Sequence, residues 1–181
     1  MPNWAFLPPM IDRHRGEDAD LIIEQRWPEP YNEDQLQAVA QEHREQARVI
    51  SNDARPHLVA AHREATTRNA GALADRSAEV TQGHIGDNEC SEARHLQIAD
   101  EVESFAQIVI SSKNQINGAV DTFTAAWAQA PQLARENNWY QHDYNKYRSE
   151  LVRAGRDTVT SALSDLSRAH EALRNTLHMA F

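Results

Sequence analysis

The sequence predicts an all-α protein: an elongated antiparallel bundle of long amphipathic helices, built from helical hairpins and preceded by an irregular N-terminal arm. Three observations predict this class. Apolar residues repeat every seven positions over long stretches, only 6 of the 181 residues are glycine, and five of the 7 prolines lie within the first 30 residues. We therefore expect an arm over residues 1–31 and a helical bundle domain over residues 32–181.

The arm carries one apolar anchor, which we expect to dock on the helices. The anchor consists of Leu21, Ile22, Ile23 and Trp27. The acidic stretch 17–20 favours the start of a short helix, because acidic side chains suit the positive end of a helix. The sequence therefore predicts one short helix within an otherwise irregular arm.

The first long helix begins after Asn32, which is a good N-terminal cap and has Gln35 three residues on, as in a capping box. Two seven-residue series then form a narrow stripe rich in small residues. They are Leu36, His43, Ile50 and His57, and Ala40, Ala47, Ala54 and Ala61. Pro56 lacks a backbone N–H, so we predict a kink or break near residues 53–55, after which the helix resumes to about Val80.

Residues 81–90 predict a loop, because Gly83 and Gly86 are typical turn residues. The next helix, over about residues 91–128, has the most regular pattern in the chain. Its seam repeats with heptad spacing and is formed by Ala99, Val102, Ala106, Val109, Lys113, Ile116, Val120, Phe123 and Trp127. This spacing is typical of a helix that packs along its length against other helices.

Lys113 is the one charged residue on that seam. In one interpretation, its aliphatic stem packs and its ammonium reaches solvent. In the other, its ammonium pairs with an acid across an interface and fixes the register of two helices. The second interpretation makes Lys113 a candidate partner-binding residue.

The last helix is predicted from about Trp139 to Leu177. Ala130-Pro131 ends or bends the preceding helix, and Asn137-Asn138 marks a further turn. The apolar series of the last helix again has a period of seven. It is formed by Val152, Val159, Leu166 and Leu173.

Aromatic residues cluster around that predicted turn. They are Trp127, Trp139, Tyr140, Tyr144 and Tyr147. Packing in the core is one explanation. The alternative is a hot spot for a protein partner, since tyrosine and tryptophan bury a large area at low entropic cost. These five residues and Lys113 are the candidate partner-binding residues.

The charge pattern limits the classes of partner. The formal net charge is -9, and no run of lysine and arginine occurs. Proteins that bind nucleic acid or anionic membranes usually carry a basic patch, so neither partner is expected. No apolar run approaches the roughly 18 residues of a membrane-spanning helix.

The residues of common catalytic and metal sites are present without the spacing those sites need. Cys90 is the single cysteine, and no His-x-x-x-His pair occurs. Glu92-x-x-His95 matches half of the di-iron motif of helical bundles, but the second Glu-x-x-His is missing. No glycine-rich phosphate loop is present. We expect no cofactor, no metal ion, no small-molecule substrate and no enzymatic activity.

One stretch carries a family resemblance. Residues 25–36, Gln-Arg-Trp-Pro-Glu-Pro-Tyr-Asn-Glu-Asp-Gln-Leu, resemble the opening of the long Trp-x-Gly-like helical domains of type VII (ESX) secretion-associated proteins. Those domains include the N-termini of actinobacterial polymorphic toxins of the necrotising type. Residues 99–103, running into Lys113 and Ile116, are similar to their central helix. The resemblance spans about residues 22–128, and Trp127-Ala128-Gln129 has glutamine where the family's turn has glycine.

The resemblance implies a targeting or presentation module that pairs with a partner's helical hairpin or with itself. Such a chain would be cytoplasmic before export and then secreted or displayed at the cell surface by a type VII route. One alternative is a self-associating structural or adaptor bundle unrelated to secretion. Another is an enzyme with a site in the bundle core, with Glu92 and His95 as metal ligands.

Overall fold

The computed structural model describes residues 11–68 and 71–180, and within these ranges the regular secondary structure is entirely helical. The prediction of an all-α protein with long packed helices is confirmed. The elements in chain order are α1 (Glu17–Ile23), α2 (Glu33–Val49), a π-helical turn (Ile50–Ala54), α3 (Arg55–Arg68), α4 (Ala72–Glu136) and α5 (Gln141–Ala180).

The chain forms two compact units. The first unit holds the described part of Met1–Gln35 together with Phe105–Asn175, and the second holds Leu36–Ser104 with the described part of Thr176–Phe181. The predicted division into an arm over 1–31 and a bundle over 32–181 stays a prediction.

In the first unit, α1 packs on α4 and α5 and completes an apolar core. Ile22 and Ile23 are fully buried there, as the apolar anchor of the arm predicted. Burying two such side chains contributes about 1.5–3 kcal/mol each. The close approach of α1 requires Gly155 on α5, because a Cβ at that position would lie 2.9 Å from Cδ1 of Ile22.

The heptad seam of α4 is confirmed. The seam residues from Ala99 to Phe123, Lys113 included, are all buried, and Trp127 at the end is partly buried. In the first unit this seam faces α5, whose buried residues include Val159, Ala162 and Leu166.

In the second unit, α2 and α3 pack against the N-terminal half of α4 through small residues. The fully buried alanines of this contact include Ala40, Ala47 and Ala99.

The Asn32 cap that opens α2 is confirmed, since the backbone N–H of Gln35 donates to its Oδ1 at 3.1 Å.

The helix does not break at Pro56. It passes through a π-helical turn over Ile50–Ala54, just before the proline. The backbone N–H of Arg55 donates to the carbonyl of Ile50, five residues earlier, so one extra residue enters the turn. The buried stripe therefore shifts by one position. The predicted Ala54, His57 and Ala61 are exposed, whereas Arg55, Leu58 and His62 are partly buried.

The predicted loop over residues 81–90 is wrong. These residues lie inside α4, and Ile85 at their centre is buried. The turn lies earlier: α3 ends at Arg68 rather than near Val80, and Gly71 has the left-handed φ of 103° just before α4 begins. The packing of Ile85 outweighs the helix-breaking tendency of the nearby glycines, which is about 1 kcal/mol each.

Pro131 does not end α4, which runs on to Glu136. Ala130 is fully buried and Leu133 is partly buried, so residues on both sides of the proline take part in packing. This packing offsets the free energy lost with the one backbone hydrogen bond that the proline cannot make. The predicted turn at Asn137-Asn138 is confirmed, and α5 begins at Gln141.

Within the described ranges, no helix combines the length and the apolar character that crossing a membrane requires.

Candidate functional site: the aromatic turn and the adjoining groove

The turn between α4 and α5 is held at one end by a hydrogen bond within the backbone and at the other by a bond from the backbone to a side chain. Asn138 has a φ of 51°, and the N–H of Trp139 donates to the carbonyl of Ala134 at 2.9 Å. This is the pattern of a Schellman motif, in which asparagine accepts the left-handed conformation. At the start of α5, the N–H of Tyr140 donates to Oδ2 of Asp143 at 3.0 Å, as in the return bond of a capping box.

This hydrogen-bonded turn presents the aromatic side chains, and we call the five residues Trp127, Trp139, Tyr140, Tyr144 and Tyr147 the aromatic turn. They form two ring pairs. Trp127 and Tyr144 have centroids 4.8 Å apart, and Trp139 and Tyr147 have centroids 5.1 Å apart, both pairs with tilted rings. Such geometry adds roughly 0.5–1.5 kcal/mol per pair to area burial.

The aromatic turn is only partly enclosed by the chain. Trp127, Trp139, Tyr144 and Tyr147 are partly buried, and Tyr140 is 75% exposed. The guanidinium of Arg148 lies 5.6 Å from the ring centroid of Trp127, within cation–π range. Interface hot spots are enriched in tryptophan, tyrosine and arginine, and this turn presents accessible side chains of all three types.

Lys113, the sixth candidate, lies elsewhere in the first unit and is enclosed. Its Nζ donates to Oε2 of Glu33 at 2.6 Å, and both side chains are buried, 1% and 0% exposed. The other oxygen of Glu33 accepts from the backbone N–H of Ile11 at 2.8 Å, and Trp27 lies beside the ammonium. The lysine does pair with an acid, but inside its own chain, so the snorkelling interpretation is wrong. In this conformation a partner chain has no access to the ammonium.

A groove adjoins the aromatic turn between α4 and α5. Its volume is about 370 Å³, and its lining includes Gly118 and Thr122 from α4 and Leu151, Ala154 and Thr158 from α5. On α5, Tyr147, Leu151, Ala154 and Thr158 follow one another at spacings of four, three and four, which places them along one helix face. The aromatic turn and the groove therefore share one continuous line of α5.

Glu92 and His95 have other partners in the second unit. Glu92 pairs with Arg55, and Nδ1 of His95 lies 2.8 Å from Nδ1 of His43. Burial, and then the neighbouring His95, lower the pKa of His43, while Glu42 opposes them. Among the described residues, no three histidine, cysteine, aspartate or glutamate side chains gather in a way that could hold a metal ion.

Neither the groove nor the buried contact of Glu33 with Lys113 was predicted from the sequence. A signal for the groove was present. Residues 104–134 contain only two charged residues, Lys113 and Asp121, in a chain that is 25% charged. Since Lys113 is buried, Asp121 is the one charged side chain that residues 104–134 expose to solvent.

Comparisons with protein-family models, with curated proteins and with solved structures find no match to this chain.

Proposed function

We propose that this chain is a non-enzymatic helical interaction module that pairs, through the aromatic turn, with a helical hairpin of a partner protein or with a second copy of itself. The observation that carries the proposal is the accessible cluster at the end of α4 and the start of α5. Four of its rings are partly buried and Tyr140 is 75% exposed. Rings that already pack in pairs on a hydrogen-bonded turn lose less entropy when a partner covers them.

The module serves, in this proposal, as a targeting or presentation domain in type VII secretion. That part rests on the resemblance of residues 25–36 to the opening of type VII-associated helical domains. The long helices of the fold are compatible with such a role.

Co-expression tests the proposal. The chain would be produced together with each protein encoded beside it. The molar mass of each purified species would be measured by size-exclusion chromatography with light scattering. We expect one co-expressed protein to form a stable complex with the chain. Replacing Trp139 and Tyr140 with alanine should abolish this complex, whereas Tyr31→Ala, away from the aromatic turn, should retain it.

The same measurement distinguishes the alternatives. A homo-oligomer that binds none of the co-expressed proteins favours the self-associating adaptor over the secretion module. A stable 20.5 kDa monomer in every combination, together with no export from cells that have a type VII system, contradicts the proposal.

A further inference from the structure

We infer that residues 11–15 form a releasable strap, which controls the access of solvent and solutes to the buried ion pair of Lys113 with Glu33. In the closed position, as in this structure, the strap shields that pair. When the strap moves away about a hinge at Gly16, the ammonium of Lys113 becomes accessible while α1, α4 and α5 stay packed. The strap and the ion pair both belong to the first unit, and the inference does not depend on the aromatic turn.

The backbone of the strap is held by three hydrogen bonds. Asn117 of α4 makes two of them with the two ends of its amide. Its Nδ2 donates to the carbonyl of Asp12 at 2.8 Å, and its Oδ1 accepts from the N–H of His14 at 3.0 Å. The third bond runs from the N–H of Ile11 to Oε1 of Glu33 at 2.8 Å. The strap is therefore attached directly to the buried carboxylate, and one asparagine supplies most of its backbone contacts.

The side chains of the strap add little to this attachment. None of the five is buried. Arg13 and His14 contact Asp20 and Asp121, two carboxylates that are 68% and 71% exposed, and contacts at such exposed groups contribute little. The helix α1, directly after the strap, buries three side chains in the core. Because a segment without buried apolar contacts opens at a lower free energy than a packed one, we expect the strap to open while α1 stays in place.

Gly16 separates the strap from α1 and has the properties of a hinge. Its φ of 113° is a backbone conformation that residues with a side chain rarely adopt. A Cβ built there meets nothing within 4 Å, so packing does not require the glycine. The N–H of Asp20 donates to the carbonyl of Gly16 at 2.9 Å, which fixes the far side of the glycine to the first turn of α1. The strap can therefore move at this residue without disturbing the buried helix.

A cavity beside the ion pair shows what the strap covers. Its volume is about 460 Å³, and its lining includes Trp27 and Lys113 together with three strap residues, Asp12, Arg13 and Arg15. In the closed position the side chains of Lys113 and Glu33 are 1% and 0% exposed. Movement of the strap removes one wall of this cavity and takes the N–H of Ile11 away from the carboxylate. Opening therefore admits solvent to both members of the pair.

Lysine labelling tests the strap in the full chain, because the sequence has only two lysines, the enclosed Lys113 and the exposed Lys146. Reductive methylation with isotope-labelled formaldehyde marks both ammonium groups, and mass spectrometry of the peptides follows the two rates separately. We expect Lys113 of the wild-type chain to react roughly tenfold or more slowly than Lys146, since it reacts only when the strap is open. Lys146 is thus an internal control in every sample.

Two variants and two controls then release the strap from either side. Asn117→Ala removes two of its backbone bonds, and His14→Pro removes one of them without changing α4. Each should speed the labelling of Lys113 by roughly fivefold or more and leave the rate of Lys146 unchanged. Asn114→Ala, at an exposed asparagine of the same helix, and Arg15→Ala, at an exposed strap residue, should change neither rate.

Urea separates opening of the strap from unfolding of the chain. Local opening exposes little surface, so the rate at Lys113 should stay nearly constant over urea concentrations that leave the circular dichroism unchanged. A rate that rises steeply with urea would mean that Lys113 reacts only through unfolding, and the inference would be wrong. It is also overturned if Lys113 of the wild type reacts as fast as Lys146, or if Asn117→Ala and His14→Pro leave its rate unchanged.

Discussion

The two units of this chain use different chemistry to hold long helices together. The first unit buries large apolar side chains, such as Phe123, Ile22 and Ile23, and it also encloses the ion pair of Lys113 with Glu33. The second unit buries mainly alanines and supplements them with polar contacts such as His43 with His95 and Arg55 with Glu92. We therefore expect the loss of one enclosed side chain to cost most in the first unit, and we expect pH and salt to act in the second unit on His43 and Arg44.

The largest effect is expected at the buried ion pair of the first unit. Lys113→Ala leaves the carboxylate of Glu33 buried without its cation, so we expect a loss of about 3–5 kcal/mol in the free energy of unfolding. Urea unfolding followed by circular dichroism measures it. Lys146→Ala is the control, because that lysine is exposed and 4.0 Å from Glu150, and it should change stability by less than about 1 kcal/mol.

A double variant sharpens this prediction. Lys113→Met combined with Glu33→Leu removes both charges and should recover most of the stability, since apolar residues of similar volume replace a buried ion pair well. If Lys113→Ala alone proves as harmless as Lys146→Ala, the pair is not buried as described.

Two glycines of the first unit should respond to alanine with opposite signs. At Gly155 the new Cβ would lie 2.9 Å from Cδ1 of the fully buried Ile22, and overpacking of this kind costs roughly 1–3 kcal/mol. At Gly118 it meets nothing, so better helix propensity should stabilise the chain by up to about 1 kcal/mol. Thermal unfolding of both variants checks this, and equal shifts in Tm would contradict the packing of α1 against α5.

The second unit should weaken in acid. The pKa of His43 is lowered, because burial and the neighbouring His95 disfavour its charged form. Its contribution to stability is therefore full above the ordinary pKa of 6.5 and is lost as the pH falls through 6.5 towards the lower folded value. Hydrogen exchange of the α2 amides, measured from pH 7.5 to pH 5.5 and corrected for intrinsic rates, should show protection decreasing with pH.

The control for the acid effect is a histidine outside the pair. His43→Gln should flatten the pH dependence of protection in α2, while His84→Gln, at an exposed position of α4, should leave it unchanged. A slope that survives in the His43 variant would assign the acid effect to other groups.

The smallest effect is expected at Arg44, which binds Asp100 at 3.1 Å and also contacts Glu103. Because these side chains are substantially exposed, Arg44→Ala should cost less than about 1 kcal/mol, and the loss should shrink at 1 M salt. Urea unfolding at low and high salt measures it. A loss that is the same at both salt concentrations would mean that Arg44 acts through the packing of its stem.

Heptad spacing predicted the helices well where packing alone decides their position. The seam from Ala99 to Phe123 is buried as expected, and the series through Val159 and Leu166 also faces the core. Prediction failed where one backbone event shifts the register. The π-helical turn at Ile50–Ala54 moves every later contact of α3 by one residue, and the heptad pattern contains no sign of that extra residue.

Local turn signals were less reliable, because they compete with packing that the sequence alone does not display. Gly83 and Gly86 predicted a loop, yet both lie inside α4. The turn residues of the candidate site, Asn137 and Asn138, were identified correctly because the apolar pattern stops there as well. The buried partner of Lys113 could not be predicted, since Glu33 is 80 residues away and also fits the ordinary role of an acid at a helix start.

Hydrogen–deuterium exchange with and without the partner protein shows directly which part of the chain the partner covers, because it reports on both units in one experiment. We expect new protection in the first unit, at residues 124–136 of α4 and 139–148 of α5, with little change over residues 36–104. Protection confined to residues 36–104, or no change in either unit at saturating partner, would contradict it.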